Sequence, residues 1–166
     1  FKSLKKYNIS AMPEYSVEAE SSLEGFENYK NDCINIIDFL GHEKLPFIAI
    51  KCTGLMDINL LEKISSKELG YESQEYISFK SRMLELCDSA IKNNVQVLID
   101  AEETWIQDAI DNLAIELMEK YNKKSTVISL THQCYRTGTL DKIKKNIKEA
   151  IQKKYHYGVK LVRGAY

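Results

Sequence analysis

The sequence is poor in the two residues that most often interrupt regular structure. It has two prolines and seven glycines in 166 residues. It also lacks any low-complexity segment, any repeat of fixed period and any linker rich in serine and glycine. Segments that join separate domains are usually rich in such residues. We therefore expect one continuous domain over residues 1–166.

The sequence also lacks a long apolar run and an excess of charge of one sign. No run approaches the ~20 apolar residues that a membrane-spanning helix needs. The 23 basic and 24 acidic side chains nearly cancel, so no overall field favours nucleic acid. The densest basic stretch, Lys142 to Lys154, has apolar residues at helical spacing and predicts the exposed face of a helix. We expect no nucleic-acid partner.

Several site signatures are missing as well. The four cysteines form no Cys-x-x-Cys pair, which favours neither a zinc site nor a disulfide scaffold and indicates a reducing compartment. We therefore expect no metal. The sequence has no Gly-x-Gly-x-x-Gly, no P-loop and no nucleophile elbow, so the phosphate sites and hydrolase sites that depend on them are unsupported in this stretch.

Short apolar runs rich in β-branched residues alternate with longer stretches of helical periodicity, at a spacing of about 30 residues typical of βαβ units. This alternation predicts an α/β protein with a parallel sheet. A complete eight-stranded barrel takes about 250 residues, so if the fold is a barrel, part of it is missing from this sequence. The family resemblance given below implies an incomplete (β/α)8 TIM-like barrel with about its first five strands. The predicted strands are Phe47–Lys51, Val95–Asp100, Thr126–Leu130 and Val159–Val162, with a weaker candidate at Glu14–Glu18. The predicted helices cover the apolar positions 33–40, 79–91, 105–117 and 140–151, with a short helix at 57–66.

The polar residues of interest follow the predicted strands. Ligands of parallel α/β sheets bind at the carboxyl ends of the strands. Lys51 and Asp100 close two apolar strands, Gln133 follows the third, and the last strand carries Lys160 and Arg163. The starts of the strands carry turn residues and no titratable cluster. We therefore expect a site at the carboxyl edge.

These residues leave alternatives open. Lys51 could form a structural ion pair, contact a substrate carboxylate or act as a Schiff-base lysine. Asp100 could instead cap the helix that starts near Trp105. Alternation along a strand puts Lys160 and Arg163 on opposite faces, so only one of these cations can point into a barrel.

The strand ends resemble those of proline dehydrogenase, the eukaryotic mitochondrial type. The segments Asp100-Ala101-Glu102-Glu103 and Lys160-Leu161-Val162-Arg163-Gly164-Ala165-Tyr166 are specific to that family when found together in this order. Tyr121-Asn122, residues 131–135 and residues 14–20 also match. The resemblance covers nearly the whole chain and identifies residues 1–166 as the N-terminal portion of a single proline dehydrogenase barrel domain.

The resemblance implies an enzyme that oxidises L-proline to 1-pyrroline-5-carboxylate, the first step of proline catabolism. FAD would be the cofactor and a membrane quinone the electron acceptor. It also implies a mitochondrial protein on the matrix side of the inner membrane, with possible peripheral membrane association.

The resemblance further implies roles for individual residues. Lys51 and Ala165 would bind the substrate, and Lys160 stands where bacterial members carry an arginine near the flavin N5. Asp100 and Lys160 would be catalytic. The residues expected to contact the cofactor are Asp100, Gln133, Lys160, Val162, Gly164 and Tyr166. The family's Tyr-x-x-Arg-Arg substrate clamp lies past residue 166, so we expect this segment alone neither to bind FAD tightly nor to turn over.

Three competing hypotheses remain at this point. The first is a hydroxyproline dehydrogenase, which shares the barrel and the cofactor. The second is an aldolase-like barrel in which Lys51 forms a Schiff base with a carbonyl substrate. The third is a non-catalytic barrel that serves as a binding module or scaffold.

Overall fold

A computed structural model of the chain describes residues 2–13, 15, 17 and 20–164. Helices and strands alternate along the described residues. The helices are α1 Lys2–Lys5, α2 Leu23–Glu43, α3 Ile58–Ser65, α4 Gln74–Lys92, α5 Gln107–Tyr121 and α6 Thr139–Lys153. The strands are β1 Phe47–Ile50, β2 Gln96–Ile99, β3 Ile128–Gln133 and β4 Gly158–Val162. A 3₁₀ turn, Cys52–Gly54, follows β1.

The four strands among the described residues form one parallel sheet in the order β1-β2-β3-β4. Each strand therefore pairs with the next one in the sequence, and every connection passes through at least one helix. This is the neighbour order of a (β/α) barrel, in which each helix returns the chain to the same edge of the sheet. The predicted α/β class and parallel sheet are confirmed.

The sheet differs from the prediction in its number of strands. Tyr15 and Val17, from the weak candidate at positions 14–18, lie in irregular backbone. Positions 14, 16 and 18 lie outside the described residues. The sheet that the structure describes therefore has four strands, whereas about five were predicted.

Strand β3 lies further along the chain than its apolar residues predicted. It runs to Gln133 instead of ending at Leu130. Its last polar side chains have partners: the His132 ring lies 3.0 Å from the Tyr157 hydroxyl, and Gln133 donates to the carbonyl oxygen of Glu102 at 2.6 Å. Because tertiary contacts satisfy these polar groups, the strand continues through residues that periodicity alone assigns to a loop.

One face of the sheet packs under the helices. Val97 and Ile99 of β2 are fully buried, whereas Leu98 between them is only partly buried. Burying each such aliphatic side chain stabilises the fold by about 1.5–3 kcal/mol. The helices contribute large buried side chains to the same core, among them Ile37, Leu40, Phe79, Met83, Leu113 and Leu117. The apolar core therefore lies on the helix side of the sheet, which leaves the other face to carry polar groups.

Side-chain caps fix where three of the helices begin. Ser22 accepts the Gly25 N–H at 2.9 Å, which starts α2 at Leu23, ten residues before the apolar positions that predicted it. Asp57 accepts the Asn59 N–H at 2.8 Å, and Ser73 caps α4. Such caps satisfy amide groups that the helix itself leaves unpaired. In the described part of the chain, no helix combines the length and apolar character needed to cross a membrane.

Asn122 holds the amino ends of β3 and β4 together. Its side chain is fully buried and makes four hydrogen bonds: it donates to the carbonyls of Ile128 and His156 at 2.8 Å and accepts from the amides of Val127 and Ile128 at 2.9 Å. Gly158, at the start of β4, passes so close to β3 that a Cβ would lie 2.1 Å from the Ile128 carbonyl oxygen. The sequence resemblance included Asn122 without a role, and the structure gives it a structural one.

Candidate functional site

Asp100 lies between two lysines at the carboxyl edge of the sheet. The Lys160 ammonium forms an ion pair with its Oδ1, and the Lys51 Nζ lies 3.7 Å from its Oδ2. All three side chains are partly buried, with Asp100 the least exposed at 13%. One carboxylate thus faces two ammonium groups.

The strand register explains this convergence. Ile50 pairs with Ile99, and the Asp100 amide donates to the Ile50 carbonyl at 2.9 Å, so Lys51 and Asp100 are equivalent positions just beyond the two strands. Ile99 pairs with Leu130, and Thr131 pairs with Lys160. Residues at equivalent positions of parallel strands point to the same side of a sheet. Lys51, Asp100 and Lys160 therefore share one row across four strands.

The structure distinguishes between the two cations of the last strand. Lys160 points toward Asp100, whereas Leu161 on the opposite face is 63% exposed and Arg163 is exposed. This is the alternation that the sequence predicted, and it places Lys160 rather than Arg163 on the inner side. Gly164 follows with a φ of +83°, and a Cβ there would lie 2.2 Å from the Tyr135 ring. Ala165 and Tyr166, both predicted site residues, lie outside the described residues.

Gln133 is buried beside this cluster and is held at both ends of its amide. Its Nε2 donates to the Glu102 carbonyl at 2.6 Å, and its Oε1 accepts from Arg136 at 3.2 Å. A glutamine amide has two N–H donors and two lone pairs on oxygen. Each of these contacts uses one of them, so the amide keeps capacity for a further polar partner in a fixed orientation.

A cleft of about 490 Å³ opens between these strand ends. This volume lies in the range of small-molecule sites. Two exposed aromatic side chains, Trp105 and Tyr135, lie at its wall. The other lining residues are Lys51, Thr53, Ile58, Ala101, Glu102, Glu103, Thr104, Gln133 and Val162. Three predicted site residues, Lys51, Gln133 and Val162, therefore line one cleft, and Lys160 reaches the same cluster through Asp100.

The alternative of Asp100 as a helix cap is wrong. Helix α5 begins at Gln107, later than the predicted start near Trp105, and no side chain caps it. The irregular turn before α5 separates Asp100 from the first helical amides. Asp100 instead pairs with the lysines, because the row position of its strand end brings both ammonium groups within reach.

Sequence reasoning missed Glu102 and Thr53 as parts of the site. The Glu102 carboxylate accepts the Thr53 amide at 3.1 Å and also accepts the Thr53 hydroxyl. Burial raises the pKa of the Glu102 carboxyl, while the hydrogen bonds from Thr53 and the charge of Lys51 act in the opposite direction. The sequence signal was the acidic pair Glu102-Glu103, which follows Asp100 after one alanine.

His132 lies on the other face of β3, away from the cleft. Its ring nitrogen contacts the Tyr157 hydroxyl, which also accepts from Asn146 at 2.8 Å. Burial lowers the pKa of His132, and the positive charge of Lys142 adds to that effect.

The described residues include no group of three or more His, Cys, Asp or Glu side chains that could hold a metal ion.

The arrangement is suited to bind an anionic group and a planar ring side by side. The lysine pair offers two ammonium groups oriented by one carboxylate, and ammonium groups bind carboxylates through charge-assisted hydrogen bonds. The aromatic walls and the Gln133 amide suit a flat heteroaromatic molecule with polar edges.

Comparisons with known proteins point to one family. A family model described as proline dehydrogenase matches residues 1–166. The chain is 32% identical over 154 residues to the mitochondrial proline dehydrogenase 1 of Caenorhabditis elegans, covering 90% of this chain and 25% of that protein. It is 30% identical over 167 residues to the carbapenem antibiotics biosynthesis protein CarD of Pectobacterium carotovorum, covering 98% of this chain and 44% of CarD.

A solved structure supports the α/β fold described above. The chain superposes with a TM-score of 0.80 on the crystal structure of proline utilization A from Bdellovibrio bacteriovorus inactivated by N-propargylglycine. That match covers 99% of this chain and 19% of the other, at 16% sequence identity. The chain thus spans less than half the length of each protein compared.

Proposed function

Because this chain belongs to the proline dehydrogenase family, we propose that the protein oxidises L-proline to 1-pyrroline-5-carboxylate, with FAD as its cofactor and a quinone as electron acceptor. Residues 1–166 form the N-terminal portion of the single barrel domain that carries out this reaction. The observation that carries the proposal is the Asp100 carboxylate between Lys51 and Lys160 at the edge of the cleft.

The residues of the cleft suit FAD. A flavin needs apolar contact on the faces of its ring and polar partners at its edge. Trp105, Tyr135 and Val162 offer the apolar surface, and the Gln133 amide offers a fixed polar partner. When bound, FAD would supply the two-electron acceptor for the hydride that leaves the carbon next to the ring nitrogen of proline.

The lysines have separate tasks in this proposal. Lys51 binds the carboxylate of proline, which holds the substrate in one orientation. Lys160 places a fixed positive charge in the cleft. There it would stabilise the negative charge that the hydride acceptor gains, while the oxidised amine becomes a cationic iminium. Asp100 holds both ammonium groups in place through its two oxygens. Val162 and Gly164 contribute backbone contacts to the cofactor. Tyr166 would also contact the cofactor, and Ala165 would contact the substrate.

The names of the relatives support a location for the protein. The Caenorhabditis elegans relative is named as mitochondrial, which supports a mitochondrial location for this protein. We further propose that it acts as a peripheral protein on the matrix side of the inner membrane, where it would pass electrons to a membrane quinone.

The proposal is tested on the intact protein with a Lys51→Ala variant. We expect kcat/KM for L-proline to fall by roughly 10- to 100-fold, because a hydrogen bond between charged groups is lost. The flavin absorbance per protein should stay near normal. An exposed lysine of α6 supplies the matched control, Lys144→Ala, which should change neither quantity. An equal loss of flavin and turnover in Lys51→Ala would show that Lys51 is structural.

The same preparation tests the competing hypotheses. Borohydride trapping of a carbonyl substrate on Lys51 would support the aldolase-like alternative, which the family comparisons do not favour. A higher kcat/KM for hydroxyproline than for proline would support a hydroxyproline dehydrogenase. An intact protein that binds flavin but oxidises neither imino acid would support a binding module.

A further inference from the structure

The loops after β1 and β2 are joined by two contacts, not one. The first is the approach of Lys51 to Asp100, at 3.7 Å. The second, two residues further along both loops, is the contact of Thr53 with Glu102. Because Ile50 pairs with Ile99, the two contacts lie at equivalent positions, one and three residues beyond the strands. The second contact therefore fixes the spacing of the loops that carry the first.

The Thr53 contact uses both oxygens of the carboxylate. The Thr53 amide donates to Oε1 at 3.1 Å, and the Thr53 hydroxyl donates to Oε2. Thr53 is only 2% exposed. A two-point contact of this kind sets the orientation of a loop as well as its distance.

Glu102 is itself anchored on both sides. Its amide donates to Oε1 of Gln107 at 2.9 Å, and its carbonyl accepts from Gln133 at 2.6 Å. Both glutamines are buried. Glu102 is thus fixed to α5 and to β3, and the loop after β1 is fixed to Glu102.

Burying this carboxylate carries an energetic cost. A charged group removed from water loses several kcal/mol of solvation unless hydrogen bonds and nearby charges compensate for it. Here the compensation comes from the two Thr53 bonds, from the backbone amide of Cys52 and from the charge of Lys51. Lys51 thus both stabilises Glu102 electrostatically and stands on the loop that Glu102 holds.

We propose that Thr53 and Glu102 are positioning residues, whose two-point contact holds the loop after β1 so that the Lys51 ammonium faces Asp100 where it binds the substrate carboxylate. The proposal deepens the function proposed above and rests on it. Neither residue touches the reacting atoms, and both act through Lys51.

The kinetic experiment uses the intact flavin-loaded protein with Thr53→Val and Thr53→Ser. Valine keeps the shape of threonine and removes the hydroxyl, whereas serine keeps the hydroxyl. We expect Thr53→Val to raise the KM for L-proline about tenfold, with kcat changed by less than about threefold, because substrate binding loses an aligned charged partner. Thr53→Ser should restore KM to within about threefold of the original protein. Equal loss of kcat and flavin content in Thr53→Val would overturn the proposal.

A double-mutant cycle tests whether Thr53 acts through Lys51. In a Lys51→Ala background, Thr53→Val should leave KM unchanged, because the group that it positions is already absent. A tenfold increase in that background as well would show that Thr53 acts by another route and would overturn the proposal.

A structural measurement separates this proposal from the proposed function. In a crystal structure of intact Thr53→Val, we expect the Lys51 ammonium to move by about 1 Å or more relative to Asp100, a displacement large enough to impair a reaction. An unchanged position overturns the positioning role, whatever the protein oxidises. Absence of proline oxidation by the unmutated protein would instead overturn the proposed function alone.

Discussion

Asp100 contacts two lysines at once, because each of its carboxylate oxygens faces a different one. The ion pair with Lys160 is the closer contact, and Lys51 lies 3.7 Å away. Partly buried ion pairs of this kind are weak evidence for stability, because the cost of removing the charges from water offsets much of their attraction. A cluster of ionisable side chains at the edge of a cleft is a candidate ligand site.

At the scale of residues, Lys160 and not Arg163 should tune the potential of the proposed flavin. Replacing Lys160 by methionine, which keeps most of its length without the charge, should make the flavin potential of the intact protein more negative by about 30 mV or more, equal to a tenfold change in a two-electron equilibrium. Arg163→Met should leave the potential unchanged, because Arg163 is exposed on the opposite face of the strand.

Spectroelectrochemical titration of the flavin absorbance measures both variants directly. The readout does not depend on turnover, so loss of activity for another reason would not affect it. A shift in Arg163→Met with none in Lys160→Met would assign the charge to Arg163 and contradict the orientation of β4.

At the scale of elements, the carboxyl ends of the strands carry the site and the amino ends carry the structural ties. Asn122 exemplifies the second group: its buried amide links the segment before β3 to the start of β4. Helices α2, α4 and α5 hold the other face of the sheet through apolar packing. Function and stability are thus separated along each strand, as expected for a barrel-type α/β fold.

Asn122→Ala should destabilise the protein strongly without changing the site. The substitution removes two hydrogen bonds to buried groups of Ile128 and two to partly buried groups of Val127 and His156. Each buried group left unsatisfied costs about 1–3 kcal/mol. We expect the free energy of unfolding to fall by roughly 3 kcal/mol or more, since some of these groups will recover water. Urea denaturation followed by circular dichroism measures the change. The exposed neighbour supplies a control, Lys123→Ala, and a similar loss there would contradict the role of Asn122.

At the scale of the whole molecule, the described sheet has exposed apolar side chains at its edge. β4 is an edge of that sheet, and Val159 and Leu161 on its outer face are 39% and 63% exposed. In α6, Ile151 is 71% exposed. Apolar side chains on an unpaired edge strand are a common source of association between chains.

The 166-residue chain produced alone should be colourless, because it does not retain FAD, and it should be inactive. The cleft is lined by the ends of neighbouring strands, and the sequence contains no Tyr-x-x-Arg-Arg, the pattern that the resemblance implies for the substrate clamp. Absorbance near 450 nm after purification with excess FAD, and proline-dependent reduction of a quinone analogue, check the two expectations. A yellow, active product would show that these strands suffice for catalysis.

Most of the fold could be predicted from the sequence, because β-branched runs and helical periodicity are local signals. Strand β1 and helix α3 were predicted to within one residue of their observed bounds. The end of strand β3 and the start of α2 were not predicted. The end of β3 depends on the hydrogen bond from Gln133 to Glu102, and the start of α2 depends on the cap at Ser22.

The sequence by itself determined which side chains stand at the strand ends, and these local patterns also identified the family. Only the tertiary structure decided which of those side chains meet. The choice of Lys160 over Arg163 depends on its contact with Asp100, 60 residues away, and the contact of Thr53 with Glu102 joins residues 49 apart. Such pairs depend on the register between strands, which no short stretch of sequence encodes, because it results from the packing of every helix that separates them.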